Sequence, residues 1–330
     1  MVNLSKSDPK RFWQEFKRVK GREKVGNCNF YEHFKNLANR DTEIGQEGRG
    51  EVYGGNNDNN VGGNDTLDRD IDLDDVEEAI QGLKRNKSAG PDQIINEFFL
   101  NASVELKLFL VILFNSILQL EYFPTAWAIG CITPVFKKGD KSNPNNYRGI
   151  SVISCLAKLF TKIMNNRLNE WVEEEKVLSD VHYGFRKGRS TVDCIFIIQG
   201  LINIVLEKGF KLYVCFVDYK KAYDIIDRSC LFHKLTKEGV SSKVVNIYKD
   251  LYSKMKLSVA NDKLNRYFTS NVGLLQGENT SPILFSLFVN DLENSISTHF
   301  EYALDILIQI LMFADDMALI STSREGLQQA

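Results

Sequence analysis

The sequence predicts an α+β fold, and three observations lead there. Some stretches repeat apolar residues at helical spacing, others are short apolar runs rich in strand formers, and the two kinds mix without regular βα alternation. Hydrophobic residues make up 43% of the 330 and charged residues 25%, a balance that suits a chain with a sizeable buried core.

The elements follow in order. Residues 1–44 read as a helical connector, with one or two short helices around Phe12, Trp13 and Phe16 and around Phe30, Tyr31 and Phe34. Residues 45–67 begin with the Gly/Asn-rich run GQEGRGEVYGGNNDNNVGGN. It holds too little apolar surface to offset the entropy of ordering, so a flexible linker is expected. Asp72 suits the N-cap of a helix with the stripe Leu73, Val76, Ile80 and Leu83, closed by Lys84, Arg85 and Lys87 and broken by Ser88-Ala89-Gly90-Pro91-Asp92. Leu106 to Leu120 is the most apolar stretch. It carries Lys107, Asn115, Ser116 and Gln119 and is shorter than a bilayer span, which predicts a buried helix. Residues 131–148 read as a Pro/Gly/Lys loop, followed by a helix near 155–175. Leu212 to Val217 predicts a strand buried on both faces. Asp227 and Ser241 suit helix N-caps, and Met255–Ala260 with Arg266–Val272 flank a hairpin turn at Asn261-Asp262. Ser281-Pro282 suits the start of a helix through about Asn294. Ile306–Phe313 and Met317–Ser321 are two apolar runs with an acidic interruption.

Composition narrows the function classes. The six cysteines are scattered without a Cys-x-x-Cys pair and the four histidines lie far apart, which argues against zinc and for free thiols in a reducing compartment. Met1 to Lys20 is polar and basic, so no secretory signal opens the chain and an intracellular protein is expected, in nucleus or cytoplasm, with no membrane partner. The net charge of −2 conceals an uneven distribution. Eight acids and only Arg69 as a base lie between Asp65 and Glu78, whereas Ala79 to Phe268 holds 28 Lys+Arg against 18 Asp+Glu. That basic body permits phosphate binding, and a solvated lysine-dotted surface has the same composition.

The residues that carry chemistry are acidic. Asp315 and Asp316 interrupt ILIQILMFADDMALIS, where an acidic pair buried without partners would cost several kcal/mol. The pair therefore sits on an exposed hairpin tip, or cations offset its charge. A bare tip usually recruits Gly or Asn for positive φ, and Ala-Asp-Asp offers neither, which favours the cation. Asp218 directly ends the strand at Leu212–Val217. Carboxylates delivered from strand ends to one place suit a two-metal phosphoryl-transfer site, and hard Mg²⁺ needs only oxygen ligands. Taken alone, Asp218 also fits a strand-end cap or ion-pair partner.

These residues lie in blocks that resemble the reverse transcriptases of non-LTR retrotransposons. Asp218-Tyr219-Lys220-Lys221-Ala222-Tyr223-Asp224 resembles motif A, Phe313-Ala314-Asp315-Asp316 motif C, and Gly273-Leu274-Leu275-Gln276-Gly277 through Ser281-Pro282 motif B. Pro134 to Asp140 with Tyr147 to Ser151 resembles the fingers motif. Gly184-Phe185-Arg186-Lys187-Gly188-Arg189-Ser190 and Ser88 to Asp92 resemble further blocks of such elements. The likeness covers about 68–322. It implies a right-hand polymerase with fingers over 68–200 and an antiparallel palm sheet backed by helices over 201–330, the thumb and an endonuclease being expected on a longer parent polyprotein.

By the same resemblance, Asp218, Asp315 and Asp316 form the catalytic carboxylate triad. They hold two Mg²⁺ ions, or Mn²⁺, together with the Tyr219 carbonyl. Tyr223 is a steric gate that selects dNTPs, and a core aromatic is its plain structural alternative. Lys137 or Lys138 with Arg148 holds the triphosphate, and Gln276-Gly277 touches the template–primer. Arg186, Lys187 and Arg189 contact template phosphates, although a solvated basic turn has the same sequence. The implied partners are an RNA template, a DNA primer and dNTPs. Two other readings remain: a truncated remnant that binds nucleic acid without catalysis, and another palm enzyme such as an RNA-templated RNA polymerase.

Overall fold

The computed structural model describes residues 29–39, 64–260, 262, 264–296 and 308–329. The helix expected at Phe12, Trp13 and Phe16 and most of the expected linker lie outside them. Helices α1 (Phe30–Ala38), α2 (Asp65–Asp68), α3 (Leu73–Gln81), α4 (Asn96–Leu100) and α5 (Val104–Leu120) precede a hairpin of β1 (Ile129–Phe136) and β2 (Tyr147–Ile153). Then come α6 (Cys155–Glu174), α7 (Thr191–Glu207), β3 (Tyr213–Asp218), α8 (Arg228–Lys237) and α9 (Ser242–Lys254). The chain continues through β4 (Lys256–Val259), β5 (Phe268–Thr269), α10 (Ser281–Phe288), α11 (Leu292–Ser295), β6 (Ile310–Phe313), β7 (Asp316–Ser321) and α12 (Arg324–Gln329). The mixture is α+β, as the sequence predicts.

Local chemistry accounts for most boundaries. Asp72 accepts a hydrogen bond from the Asp75 amide, while Asp75 caps Asp72 in return, completing a capping box. That helix stops at Gln81 with Gly82 as its cap, so Lys84, Arg85 and Lys87 lie beyond its end. Asn64 caps α2 and Leu67 is fully buried, so the expected linker gives way to ordered chain before 67. Asp227 and Ser241 cap α8 and α9. Helix α10 ends at Phe288, and α11 follows separately rather than as one helix to Asn294.

Two sheets organise the molecule. The first has the order β2-β1-β4-β5, with β1 antiparallel to β2 and parallel to β4. The expected loop over 131–148 is mostly strand here, and only 137–146 connects β1 to β2. Pro134 pairs with Gly149 beyond Ile132, where the β4 partner has ended. A strand with one free edge tolerates a residue that lacks an N–H. The hairpin expected at Asn261-Asp262 exists as β4–β5, but β4 ends at Val259 and β5 begins only at Phe268.

The second sheet has the antiparallel order β3-β7-β6. Its faces pack on Leu201 of α7 with Leu311, Ala318 and Ile320, and on Val181, Ile310, Met312 and Met317. Strand β3 is an edge strand, and Phe216 is 75% exposed. The expectation of burial on both faces fails because an apolar run reads the same whether it lies inside or at an edge. Helix α5 is likewise half-covered: Leu110, Phe114, Ile117 and Leu118 are buried, whereas Leu108, Phe109 and Ile112 are exposed. Among the described residues no helix is long and apolar enough to cross a membrane.

One core runs from Tyr31 and Phe34 of α1 through α3, α5, α6, α8 and α9 to Leu287. It crosses residue 200, and the first sheet joins strands from both sides of that position. The stretches expected as fingers and palm therefore share one core. Helix α1 belongs to this core: the Asn39 amide donates to the Thr269 carbonyl at 2.7 Å, and the Phe34 ring fills the space beside Gly149.

Candidate active site

Two neighbouring strands bring the acids together. Asp218 ends β3 and Asp316 begins β7, and the two are directly paired in register. Such partners project from the same face, with Cα atoms about 4.5–5.5 Å apart. Phe313 pairs with Asp316 across the β6–β7 hairpin, which leaves Ala314 and Asp315 as a two-residue turn. Ala314 takes φ of 58° while Asp315 does not take a positive φ, the pattern of a type II′ turn. The pair does sit on a hairpin tip, the reading that the lack of Gly or Asn disfavoured: Ala314 adopts the left-handed conformation despite its Cβ, at a cost of roughly 1–2 kcal/mol.

That strained turn is held from behind. The Tyr183 amide donates to the Met312 carbonyl at 2.8 Å, and the Met312 amide donates to the Val181 carbonyl at 2.8 Å. The chain at 181–184 thereby lines up beside β6 and delivers Gly184 against the turn. A Cβ on Gly184 would stand 3.0 Å from Ala314 Cα and from Phe313 C, and nearer still to the Ala314 nitrogen. Only glycine fits there.

The three carboxylates open into a cleft of about 1080 Å³. Tyr219, Tyr223, Lys137, Arg148, Gln276 and Gly277 line it with them, together with Lys220 and Phe185. Lys138, Arg186, Lys187 and Arg189 are not among its lining residues. Burial, then the Asp315 and Asp218 charges, push the Asp316 carboxyl above its ordinary range. Crowded negative charge of this kind favours a bound cation. Among the described residues no three carboxylates, imidazoles or thiols are already gathered as a metal cage. The oxygen-only donor set and its uncompensated charge fit a hard divalent ion, which would draw the side chains in.

Tyr223 stacks on Phe285 of α10, ring centroids 4.9 Å apart and planes 24° from parallel. Its buried hydroxyl has no hydrogen-bond partner among the described residues. Burial, then the Asp315 charge, raise the phenol well above its ordinary pKa, so it stays neutral. The ring packs on the core, as its structural alternative expects, and it also lines the cleft.

The motif B loop is fastened to its surroundings. Gln276 Nε2 donates to Asp224 Oδ1 at 2.9 Å, and the Gln276 carbonyl accepts from the Ser151 amide at 2.7 Å. Burial pushes the Asp224 carboxyl up. Gly277 has φ of 109°, and a Cβ there would press on the Ser151 carbonyl at 2.8 Å. The close approach that its glycine permits is first of all to strand β2.

Two of the expected template contacts are committed within the protein. Arg186 forms a bidentate pair with Glu173, at 2.8 and 2.7 Å, and donates to the Ser179 carbonyl at 3.0 Å. That partner raises the guanidinium pKa and lowers that of Glu173. Arg189 pairs with Asp180 at 2.5 Å and lies over the Tyr183 ring at 5.0 Å. Lys187 is exposed. Arg186 and Arg189 anchor a turn through these acids, and none of the block's three cations is among the cleft's lining residues.

Reading the sequence alone misses Glu278 and Gly184. Glu278 is 4% exposed, and its Oε2 accepts from the amides of Thr280 and Ser281, both at 2.9 Å, and from their hydroxyls. It fixes the start of α10 and so the Phe285 platform beneath Tyr223. An acid three residues before Ser-Pro was the available signal. Gly184 had none, because its constraint is a tertiary contact.

The family model for reverse transcriptase (RNA-dependent DNA polymerase) matches residues 136–330. The "Probable RNA-directed DNA polymerase from transposon BS" of Drosophila melanogaster is 29% identical over 263 residues, covering 77% of this chain and 28% of that protein. The "RNA-directed DNA polymerase from mobile element jockey" of Drosophila funebris is 27% identical over 255 residues, covering 77% and 28%. The chain thus spans about a quarter of the length of these curated relatives. Among solved structures, apo telomerase from Candida tropicalis truncated from its C-terminal domain aligns with a TM-score of 0.44 and 16% identity, over 62% of this chain and 45% of the other. With more than half its length matched, the chain belongs to the reverse transcriptase (RNA-dependent DNA polymerase) family.

Proposed function

We propose that this chain carries the nucleotidyl-transfer site of an RNA-directed DNA polymerase, with 68–200 serving as fingers and 201–330 as palm. The observation that supports it most is the in-register pairing of Asp218 with Asp316, with Asp315 on the adjoining turn, at the floor of a cleft edged by cations. RNA template, DNA primer and dNTPs are the substrates this reading assigns. Their recognition falls to the cleft's own residues.

Arg148 and Lys137 are both exposed and line the cleft, where they would neutralise the triphosphate, Arg148 by its planar fork. Tyr223, immobilised on Phe285, would set its ring under the sugar and leave no room for a 2′-hydroxyl. Asp218, Asp315 and Asp316, with the Tyr219 carbonyl, would hold Mg²⁺. When bound, the metal lowers the pKa of the attacking primer hydroxyl and stabilises charge on the leaving pyrophosphate. The backbone hydrogen bonds of Val181 and Tyr183 with Met312 brace the hairpin that carries two of those carboxylates.

Primer extension on poly(rA)/oligo(dT) with Mg²⁺ and dTTP tests this reading, with Asp315→Asn run alongside. Incorporation by the native chain and loss of at least ~10²-fold in the variant is the expected result. Equal incorporation by both would end the catalytic claim.

A further inference from the structure

Phe185 is fixed on both sides. Gly184 before it is pressed on the acidic turn, and Arg186 after it is held by Glu173 and the Ser179 carbonyl. Between them Phe185 takes φ of 62°, a conformation that Cβ-bearing residues disfavour and that tends to collect at ligand clamps.

Its ring gains little from the fold in return. It is 53% exposed, stands outside every hydrophobic cluster of the described residues, and lines the cleft shared by Arg148, Lys137 and the three aspartates. Exposed apolar area is stabilising only once something flat and apolar covers it. A ligand that brings both a π-face for Phe185 and phosphates for the cations is a nucleotide.

We propose that Phe185 is a stacking platform for a nucleobase, either the templating base or the base of the incoming nucleotide. The inference rests on the reading above only in that the cleft receives nucleotides, not in that the site is catalytic. Base–aromatic stacking tolerates any sequence because every base has a π-face, which suits a site that must accept all four.

The full chain is tested by fluorescence anisotropy with a dideoxy-terminated primer–template, giving Kd for the duplex and Kd for dTTP on the binary complex without any turnover. Phe185→Leu keeps bulk and loses the π-face, so one of the two constants should weaken about 5- to 100-fold, while Phe185→Trp should bind at least as tightly as the native chain. An abasic template position assigns the source: it removes the Phe185→Leu difference if the ring stacks on the template, and leaves it in the dTTP constant if the ring stacks on the incoming base. Phe185→Gly relieves the backbone strain, so it should melt no lower than the native chain and still bind as poorly as Phe185→Leu. Both constants within twofold of native in Phe185→Leu and Phe185→Gly would overturn the proposal, as would a native chain that does not bind the duplex. Phe185-dependent binding in a chain that fails to extend primers would sustain it and sink only the catalytic reading.

Discussion

The contact between Gly184 and the acidic turn makes a quantitative prediction. In Gly184→Ala the new methyl meets only backbone atoms, at 3.0 Å from Ala314 Cα and Phe313 C and closer to the Ala314 nitrogen. No flexible side chain can yield there, so either the turn or the 181–184 segment must move on the order of 1 Å to restore ordinary carbon contacts. Overpacking of this kind costs about 1–3 kcal/mol of stability. A misplacement of that size at reacting groups costs on the order of 10²-fold in rate, or about 3 kcal/mol of transition-state stabilisation. Tyr223, Arg148 and Lys137 lie on other elements, so KM for dTTP should stay within about threefold of native while kcat falls. Steady-state primer extension measures both, and hydrogen exchange across 310–321 reports whether the hairpin has loosened. Ala314→Gly in the same chain frees the turn to relax and should recover part of kcat. The reasoning fails if kcat falls less than threefold, or if kcat, KM and hairpin protection all remain native.

Further predictions concern charge and selectivity. His182 is 3% exposed, and burial followed by the Arg186 and Arg189 charges lowers its pKa to about 4. Its neutral form belongs to the folded state, so stability is complete above about pH 6.5 and declines toward pH 4 by up to about 3 kcal/mol. Urea midpoints across that window should show the decline, and His182→Gln should flatten it. Because the Asp316 pKa is raised, stability without metal falls as pH rises through that carboxyl's titration. Asp316→Asn should therefore melt above the native chain at neutral pH, and added Mg²⁺ should raise the melting temperature of the native chain alone. Tyr223→Ala should admit rNTPs by at least about tenfold relative to dNTPs in competitive extension, and unchanged discrimination would remove its gating role. Arg186→Ala should lower the melting temperature, costing about 1–2 kcal/mol of stability for a half-exposed ion pair and the charge-assisted hydrogen bond to Ser179, whereas Arg148→Ala should leave it unchanged and raise KM for dTTP.

Local signals made much of this structure legible. Asp72, Asp227 and Ser241 cap helices because a short polar side chain before an apolar stripe has an oxygen well placed to accept from the helix's first free amides. Asp218 and the Asp315-Asp316 pair stood out because acids at the ends of apolar runs are costly without a purpose. What depends on partners was not legible. The run at 212–217 reads the same at a sheet edge as at its centre, and Pro134 disguised β1 as loop until its missing neighbour beyond Ile132 was known. Arg186 and Arg189 looked like phosphate ligands because Glu173 and Asp180 are distant in kind from any motif, and only the folded chain shows them paired. Ala314 evaded the turn rule because the brace at 181–184 compensates a strain that no local pattern records.

The account depends on Asp218, Asp315 and Asp316 acting as a single cation site. Titration of the full chain with Mn²⁺, followed by electron paramagnetic resonance of the free ion, measures that directly against Asp218→Asn, Asp315→Asn and Asp316→Asn. Each neutralisation should weaken binding by at least about tenfold. Native Mn²⁺ affinity in Asp218→Asn would show that the residues paired across β3 and β7 do not share an ion.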